Sequence, residues 1–524
     1  MMWRFRVGPS MSNRNQALAA LAFAVCLTSS VFVDPVRSED EMPTGVVADA
    51  GGRSRLTVRG EYVVETFSQK NFHLGDGPIG ETSSDYDAFW AQNLLLRPRF
   101  IVSDNLNVNL SVDVAQGVWG FDGESDAGVY PVNPSLSGTR VDWAYLAYRH
   151  AGTATRWYVG RQPFTLGHGL VLETDAAGVQ VYRDLSRIGS LGLGVAKIYE
   201  SGGFSDRINE TPDSTRVGRD GRDADLFFAE LAMGDESLSL RPFFVYYVDR
   251  SGGDGDLVYP DQLPYLEARF QPGITRATAF GLSFALRRGL ISVEGEYDNL
   301  RGVDRLGDAN FGPDEIHDVN NGDLTGANLY LRGALGGARG ELGVILAQGS
   351  GDEDPRTGEG NITRIATDGG FFITEVWEDS VMPDRGYYPG GLGSPLVRGY
   401  RELENTKIVQ GFASFRPTPN LRLFASVSMI RASEALREWS DANGNGVLEV
   451  DEFGPGTSTE LGSELDVRIE WAVDRRLQLE LAAGRFLPRV ASSYLLYGHD
   501  QAQEAANEIR ATITVPIPEF SLGG

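Results

Sequence analysis

Aliphatic and polar residues alternate strictly in several stretches of the chain. In residues 105–114, N-L-N-V-N-L-S-V-D-V, every second residue is aliphatic, and the residues between are small and polar or acidic. The same alternation recurs at 464–471, E-L-D-V-R-I-E-W, and at 508–515, E-I-R-A-T-I-T-V. Because successive side chains of a strand point to opposite faces, these stretches predict strands with one apolar and one polar face.

Two environments favour such strands, a half-buried sheet in a soluble sandwich and a wall between lipid and a water-filled lumen. Turn residues divide the chain into further strand-like segments. We predict eighteen strands, near residues 53–68, 87–102, 105–119, 138–151, 154–162, 177–184, 189–200, 223–234, 236–249, 275–288, 289–300, 325–337, 339–350, 403–416, 420–433, 459–473, 475–486 and 505–516.

The connections between these segments alternate in length. A long polar segment follows every odd-numbered strand, for example residues 120–137, 163–176 and 351–402, and a tight turn follows nearly every even-numbered one. Short periplasmic turns and long outer loops are typical of transmembrane barrels, whereas sandwiches and propellers have no reason to sort their loops this way. We therefore predict an all-β protein, a transmembrane antiparallel β-barrel over residues 53–520 with both chain ends in the periplasm.

The composition agrees with this prediction. The chain has 64 glycines and 10% aromatic residues, as expected for many turns and ring-bearing strands. A net charge of −25 argues against nucleic acid as a partner, since a phosphate backbone attracts a basic surface. The expected partners are instead the lipid bilayer, lipopolysaccharide and the barrel-insertion machinery. The aromatic residue that often ends such barrels is displaced, because Phe520 is followed by Ser-Leu-Gly-Gly.

The N-terminus has the features of an export signal. Arginines precede an apolar run at residues 17–33, which predicts a cleavable signal peptide at 1–38 and a short periplasmic segment at 39–52. Met11 is an alternative initiator. The only cysteine, Cys26, lies within the apolar run, so the mature chain is expected to contain neither disulfides nor thiols. These features predict an outer-membrane protein of a Gram-negative-type cell envelope.

Three segments resemble the alginate-export family of outer-membrane porins: W-Y-V-G-R-Q-P-F-T-L-G-H-G at 157–169, G-V-Q-V-Y-R-D at 178–184 and L-G-S-E-L-D-V-R-I-E-W at 461–471. The resemblance implies a single barrel of 18 strands and passive passage of a solute through a charged lumen. It does not establish alginate as the solute. Members that export an anionic polymer have an arginine-lined constriction, which directs attention to the arginines of this chain.

Guanidinium groups suit carboxylated sugars, because their planar donor pairs match a carboxylate. The candidate lumen and solute-binding arginines are Arg55, Arg59, Arg97, Arg99, Arg156, Arg241, Arg332, Arg422, Arg468, Arg485 and Arg510. Carboxylates share the same predicted face, so arginine–carboxylate ladders that stiffen the wall are an equal alternative. We predict a porin or channel for a hydrophilic, anionic or polysaccharide-like solute. The alternative is a surface binding or adhesion barrel with a plugged lumen.

Residues 441–452, D-A-N-G-N-G-V-L-E-V-D-E, match the twelve-residue loop of an EF-hand. The predicted ligands of a structural Ca²⁺ are Asp441, Asn443, Asn445, Val447, Glu449 and Glu452. A short helix at 433–440 is expected to precede this loop, which lies outside the membrane in the predicted topology. An acidic, solvated loop with a chance match is the alternative interpretation.

Two further expectations concern the other loops. The segment 351–402, rich in glycine, proline and aromatic residues, is the leading candidate to fold over or into the barrel mouth. The five histidines form no metal-spaced pair, and His168 has no nucleophile-elbow serine or cysteine near it in the sequence. We therefore expect His168 to be a solvated loop residue and the protein not to be an enzyme.

Overall fold

A computed structural model describes residues 55–71, 86–118, 140–186, 188–199, 224–249, 274–304, 323–351, 360–367, 371–377, 403–440, 442, 452–501 and 504–522. The predicted signal peptide and the periplasmic segment 39–52 lie outside these ranges.

The described residues form twenty strands and one helix. In chain order they are β1 (Arg55–Lys70), β2 (Tyr86–Ser103), β3 (Leu106–Val118), β4 (Arg140–His150), β5 (Thr155–Thr165), β6 (Leu172–Asp184), β7 (Ser190–Tyr199), β8 (Ala224–Gly234), β9 (Leu238–Asp249), β10 (Ile274–Arg288), β11 (Ile291–Asp304), β12 (Asp323–Gly337), β13 (Gly340–Gly349), β14 (Gly360–Asn361), β15 (Ala366–Thr367), β16 (Thr406–Thr418), β17 (Leu421–Trp439), β18 (Phe453–Ala472), β19 (Gln478–Pro488), α1 (Val490–Tyr497) and β20 (Ala506–Leu522).

Eighteen of the strands form one closed antiparallel barrel. Each long strand pairs with the next along the chain, β13 pairs with β16, and β20 pairs with β1 to close the cylinder. The other two strands, β14 and β15, are two residues long and pair in parallel with β12 and β6. The prediction of an 18-stranded antiparallel barrel is confirmed, because every predicted strand corresponds to one of these long strands.

The polar face of the barrel strands is buried, and the apolar face is exposed. In β18, the Glu464 side chain is buried, with 2% exposure, whereas Leu465 and Val467 are exposed at 53% and 46%. In β3, the polar residues at 107, 109, 111 and 113 are all buried, and the aliphatic residues between them are only partly buried. A soluble core shows the opposite arrangement, so the outer surface faces hydrocarbon and the polar side chains face the lumen.

Several predicted strand boundaries are wrong. β5 and β6 are longer than predicted, so a six-residue turn at 166–171 replaces the long loop expected at 163–176. Gly167 and Gly169 have positive φ angles (58° and 84°), which close this turn. β17 continues to Trp439 where a helix at 433–440 was expected, because the strand keeps pairing with β18 there. Cross-strand pairing overrides local propensity at that point.

Helix α1 follows β19 and packs against β17 and β18. Trp439 Nε1 donates a hydrogen bond to the Tyr494 carbonyl (2.6 Å), and the helix ends at Gly498 in the left-handed conformation (φ 77°). Within the described ranges, no helix has the length and apolar character needed to cross a bilayer.

Candidate functional site

Part of the long loop between β13 and β16 folds into the barrel, where the sequence predicted it. We call residues 360–367 and 371–377 the inner segment. Its first part connects the first residues of β12, which pair with β14, to the first residues of β6, which pair with β15. Asn328 Nδ2 donates to the Thr363 carbonyl (2.6 Å), and nearly all described side chains of the inner segment are buried.

A single carboxylate holds the second part of the inner segment. The backbone N–H groups of Glu375, Val376 and Trp377 all donate to the side chain of Glu464, at 2.9, 2.7 and 2.9 Å. Gln410 Nε2 donates to the Ile373 carbonyl (2.8 Å) and fixes the segment from β16. Hydrogen bonds to an ionised acceptor are roughly twice as strong as neutral ones, so Glu464 is the main backbone anchor.

The side chain of Glu375 lies between two arginines of the wall. Its Oε2 accepts a hydrogen bond from Arg510 Nη2 (2.9 Å), and its Oε1 forms an ion pair with Arg468. Glu480 Oε1 is 3.5 Å from Arg510 Nη2 and 4.0 Å from Arg468 Nε. All four side chains are largely buried, so this cluster of two positive and two negative charges acts in a medium of low effective dielectric.

Close packing completes the attachment of the inner segment. The Trp377 ring is buried, with its centroid 5.0 Å from that of Phe486. A Cβ atom on Gly484 would lie only 2.4 Å from Val376 Cγ2, so a glycine is needed in β19 for the segment to approach. The inner segment is therefore held against β16–β20 by both charge and shape.

A cavity of about 510 Å³ lies at the short-turn end of the lumen. Its walls include arginines, glutamates and aromatic rings: Arg287, Arg332, Arg416, Arg422, Glu294, Glu341, Tyr330, Phe412 and Phe424. Arg332 contacts Glu341 (2.7 Å), and its guanidinium carbon lies 4.7 Å from the Phe412 ring centroid. Arg422 contacts Glu470 (2.9 Å) and lies 5.8 Å from the Phe424 ring centroid. The cavity thus offers guanidinium groups stacked on aromatic faces.

Most of the predicted arginines occupy inward-facing positions. The alternation of their strands places ten of them on the lumen side, namely Arg55, Arg59, Arg97, Arg99, Arg156, Arg241, Arg332, Arg422, Arg468 and Arg510. Of these, Arg332 and Arg422 line the cavity and pair with glutamates there, and Arg468 and Arg510 contact Glu375. Near the short turns, Arg156 pairs with Asp184 (3.2 Å), and Arg55 Nε donates to Ser521 Oγ (3.1 Å). Solute binding by these residues stays a prediction.

The prediction for Arg485 is wrong, because this residue faces outward. In β19 the residues on either side, Gly484 and Phe486, are buried and point inward, and Arg485 between them is exposed. The stretch L-A-A-G-R-F has too little alternation to assign its faces from sequence. Arg485 lies three residues before the strand ends at Pro488, near the long-loop edge, where a long basic side chain reaches the polar headgroup layer.

A second group of arginines lies in β1 and β2, the strands that follow β20 around the barrel. Arg59 is directly across from Arg97, and Thr57 from Arg99. Among the described residues, no carboxylate forms an ion pair with Arg59 or Arg97, and Arg97 Nε has no hydrogen-bond partner. The Asn107 amide, with its oxygen turned toward the wall, accepts a hydrogen bond from Arg99 Nη2 (2.8 Å). We call Arg59, Arg97 and Arg99 the basic wall.

His168 is buried, contrary to the expectation of a solvated histidine. The turn at 166–171 places its backbone N–H 2.5 Å and its Nδ1 3.0 Å from Glu296 Oε2 on β11. Burial lowers the pKa of His168 to about 4, which favours the neutral imidazole. This contact joins residues 128 positions apart in the chain, so no local sequence pattern predicts it.

Most of the predicted calcium ligands, Asp441, Asn443, Asn445, Val447 and Glu449, lie outside the described residues. Glu452 is described. Its Oε1 accepts a hydrogen bond from the Ala442 N–H (2.7 Å), so the two ends of the loop are close together. Across the described part of the chain, no group of three or more His, Cys, Asp or Glu side chains is arranged to hold a metal ion.

No protein-family model matches the sequence, and no curated protein matches it. The resemblance to the alginate-export family therefore stays a prediction. Similar solved structures include Acinetobacter baumannii OccAB2 (11% identity, 90% of this chain and 98% of that chain, TM-score 0.47). The outer membrane protein opdK from Pseudomonas aeruginosa has 10% identity over 89% of this chain and 99% of that chain, with a TM-score of 0.47. A BenF-like porin from Pseudomonas fluorescens Pf-5 has 12% identity over 88% of this chain and 98% of that chain, with a TM-score of 0.47. Similarities this distant do not indicate which solute the protein takes. The barrel fold follows from the strand pairing itself.

Proposed function

We propose that this protein is an outer-membrane channel that passes a hydrophilic, anionic and saccharide-like solute through its lumen and catalyses no reaction. The observation that carries the proposal is the cavity at the short-turn end, with Arg332 and Arg422 stacked over phenylalanine rings. The exposed apolar exterior supports insertion in a bilayer, and the charged interior supports passage of a polar molecule.

The cavity chemistry favours carboxylated sugars over simple ions. A guanidinium group donates two parallel hydrogen bonds to a carboxylate, and the Phe412 and Phe424 rings offer apolar surface to the C–H face of a sugar. Glu341 and Glu294, which pair with Arg332 in the cavity wall, then accept hydrogen bonds from sugar hydroxyls. Under this proposal, the solute replaces the ion pairs that Arg332 forms with Glu341 and Glu294 by contacts of its own.

The outer surface also has proposed partners. We propose that residues 441–452 bind a structural Ca²⁺ that braces the loop between β17 and β18, supported by the contact between Glu452 and Ala442. Lipopolysaccharide phosphates are proposed to contact the long-loop rim, where Arg485 faces outward. The calcium proposal requires that calcium protect the chain from proteolysis near residue 440. Equal cleavage with calcium and with a chelator would overturn it.

The channel proposal is tested by planar-bilayer recording of the wild type and of a variant in which residues 355–398 are replaced by a short Gly-Ser linker. The deletion removes the inner segment, so the expected result is a several-fold larger ion current with a preference for anions. Absence of current even from the deletion variant, in protein that has inserted, would favour the adhesion barrel. A cation preference in the deletion variant would overturn the anionic solute but keep the channel.

A further inference from the structure

Glu375 is a carboxylate bound by two arginines inside a lumen that we propose to carry carboxylates. Its two oxygens are divided between Arg468 and Arg510, the arrangement a carboxylated solute would adopt there. Glu480 also faces the two arginines. Without Glu375, the two arginines lose a carboxylate that both contact in a largely buried setting, which favours binding of another anion.

The position of this pair along the barrel matches the next step of a solute entering from the cavity. Arg422 faces Glu470 across the strands, and Arg468 faces Phe424, two residues farther from the short turns. Arg510 lies at the level of Arg468, because both face Ala482 of β19. Two residues of a strand span roughly 7 Å. The arginines therefore follow one another from the cavity toward the inner segment.

We infer that Arg468 and Arg510 form a carboxylate-binding subsite that Glu375 occupies in the resting channel, and that an oligomeric carboxylated solute releases residues 371–377 by taking its place. This inference rests on the proposed channel function. Glu375 thereby acts as a resident competitor of the solute, and opening is coupled to the chemistry of the molecule that passes.

Competition explains why an oligomer is the fitting ligand. Glu375 is tethered and further held through the Glu464 hydrogen bonds, so its effective concentration at the arginines is on the order of millimolar or higher. A single free carboxylate competes poorly against it. A chain of carboxylated sugars that already contacts Arg332 and Arg422 presents its next carboxylate to Arg468 as a second, intramolecular contact, and avidity then lowers the concentration required.

The test follows exposure of the inner segment in the full-length protein. Two single variants, Val376→Cys and Ile373→Cys, each place one thiol at a position that is buried while the segment is attached. The rate of labelling by a water-soluble maleimide is measured in detergent and in vesicles, with increasing trigalacturonate. The neutral maltotriose and the monomer galacturonate are the control probes. Two positions are used so that failure of one variant to fold does not end the test.

Trigalacturonate is expected to accelerate labelling at least tenfold in a saturable manner, galacturonate to do so only at far higher concentration, and maltotriose not at all. When Glu375→Gln is combined with either cysteine variant, labelling should be fast even without an added saccharide, because the contact with the two arginines is lost. Adding Arg510→Gln should abolish the response to trigalacturonate.

Unchanged labelling in a protein that conducts anions would overturn the inference and leave the channel function standing. Equal acceleration by trigalacturonate and maltotriose would also overturn it, because release would then not depend on a carboxylate. Absence of current in every variant would remove the channel function itself.

Discussion

Two parts of the lumen wall carry arginines but use them differently. On β17–β20, Arg468 and Arg510 are largely buried, paired with carboxylates and covered by the inner segment. On β1 and β2, the basic wall faces the lumen, and Arg59 and Arg97 have no carboxylate partner among the described residues. Buried, paired charges hold structure together, whereas lumen charges without a carboxylate partner contribute to the electrostatic potential of a path. We therefore expect the wall of β17–β20 to hold the inner segment and the basic wall to influence ion preference.

The largest expected difference comes from removing one arginine from each wall. Arg468→Gln leaves Glu375 and Glu480 to share Arg510, and losing one partner of a buried cluster costs about 3–5 kcal/mol of stability. Arg97→Gln removes an unpaired charge and should change stability by less than about 0.5 kcal/mol. The measurement is the unfolding midpoint of the barrel in detergent, followed by gel mobility. Equal losses in the two variants would erase the distinction between the walls.

A smaller effect is expected at the backbone anchor. Glu464→Gln replaces the ionised acceptor of three N–H groups, which should weaken attachment of the inner segment by about 2 kcal/mol, or roughly thirty-fold. Single-channel recording should show a corresponding rise in open probability. Glu508→Gln is the matched control, since Glu508 is equally buried but accepts from Gln69 of β1 (2.7 Å). If both variants open alike, Glu464 is not a specific anchor.

The smallest effect concerns ion preference. Arg97→Gln should lower the anion-to-cation permeability ratio about twofold, because the basic wall contributes to the potential of the path without holding the fold. The reversal potential in a salt gradient measures this ratio. Arg485→Gln is the control, since that residue faces outward and should leave the reversal potential unchanged. A shift with Arg485→Gln as large as that with Arg97→Gln would contradict the placement of both residues.

The sequence predicted the barrel because two environments act on alternate residues. Hydrocarbon and water impose the period of two seen in β3 and β18, and the two sides of the membrane impose the long and short connections. The faces of most arginines followed from the same alternation. Arg485 was misplaced because its stretch of β19 contains small residues that are tolerated on either face.

The attachment of the inner segment was beyond sequence reasoning. The contact between Glu464 and the backbone of Glu375 joins residues 89 positions apart. Its donor is a backbone N–H, which nearly every residue has, so the sequence does not indicate which residue donates. Gly484 carries a weak signal, since a glycine inside a strand often marks close approach of another chain segment. His168 likewise could not be paired with Glu296 from spacing, because the turn and β11 meet only in the folded barrel.

A reversible crosslink between the inner segment and the wall tests the central claim most directly. Val376 and Gly484 are in contact, and Val376→Cys removes the methyl group that a Cβ atom at position 484 would meet. The only native cysteine, Cys26, lies in the predicted signal peptide, so Val376→Cys with Gly484→Cys adds one defined thiol pair. In the Glu464→Gln background, current through a single channel is recorded before and after reduction. We expect a closed channel when the disulfide is formed and repeated opening once it is reduced. The same current in both states would show that the inner segment does not obstruct the path.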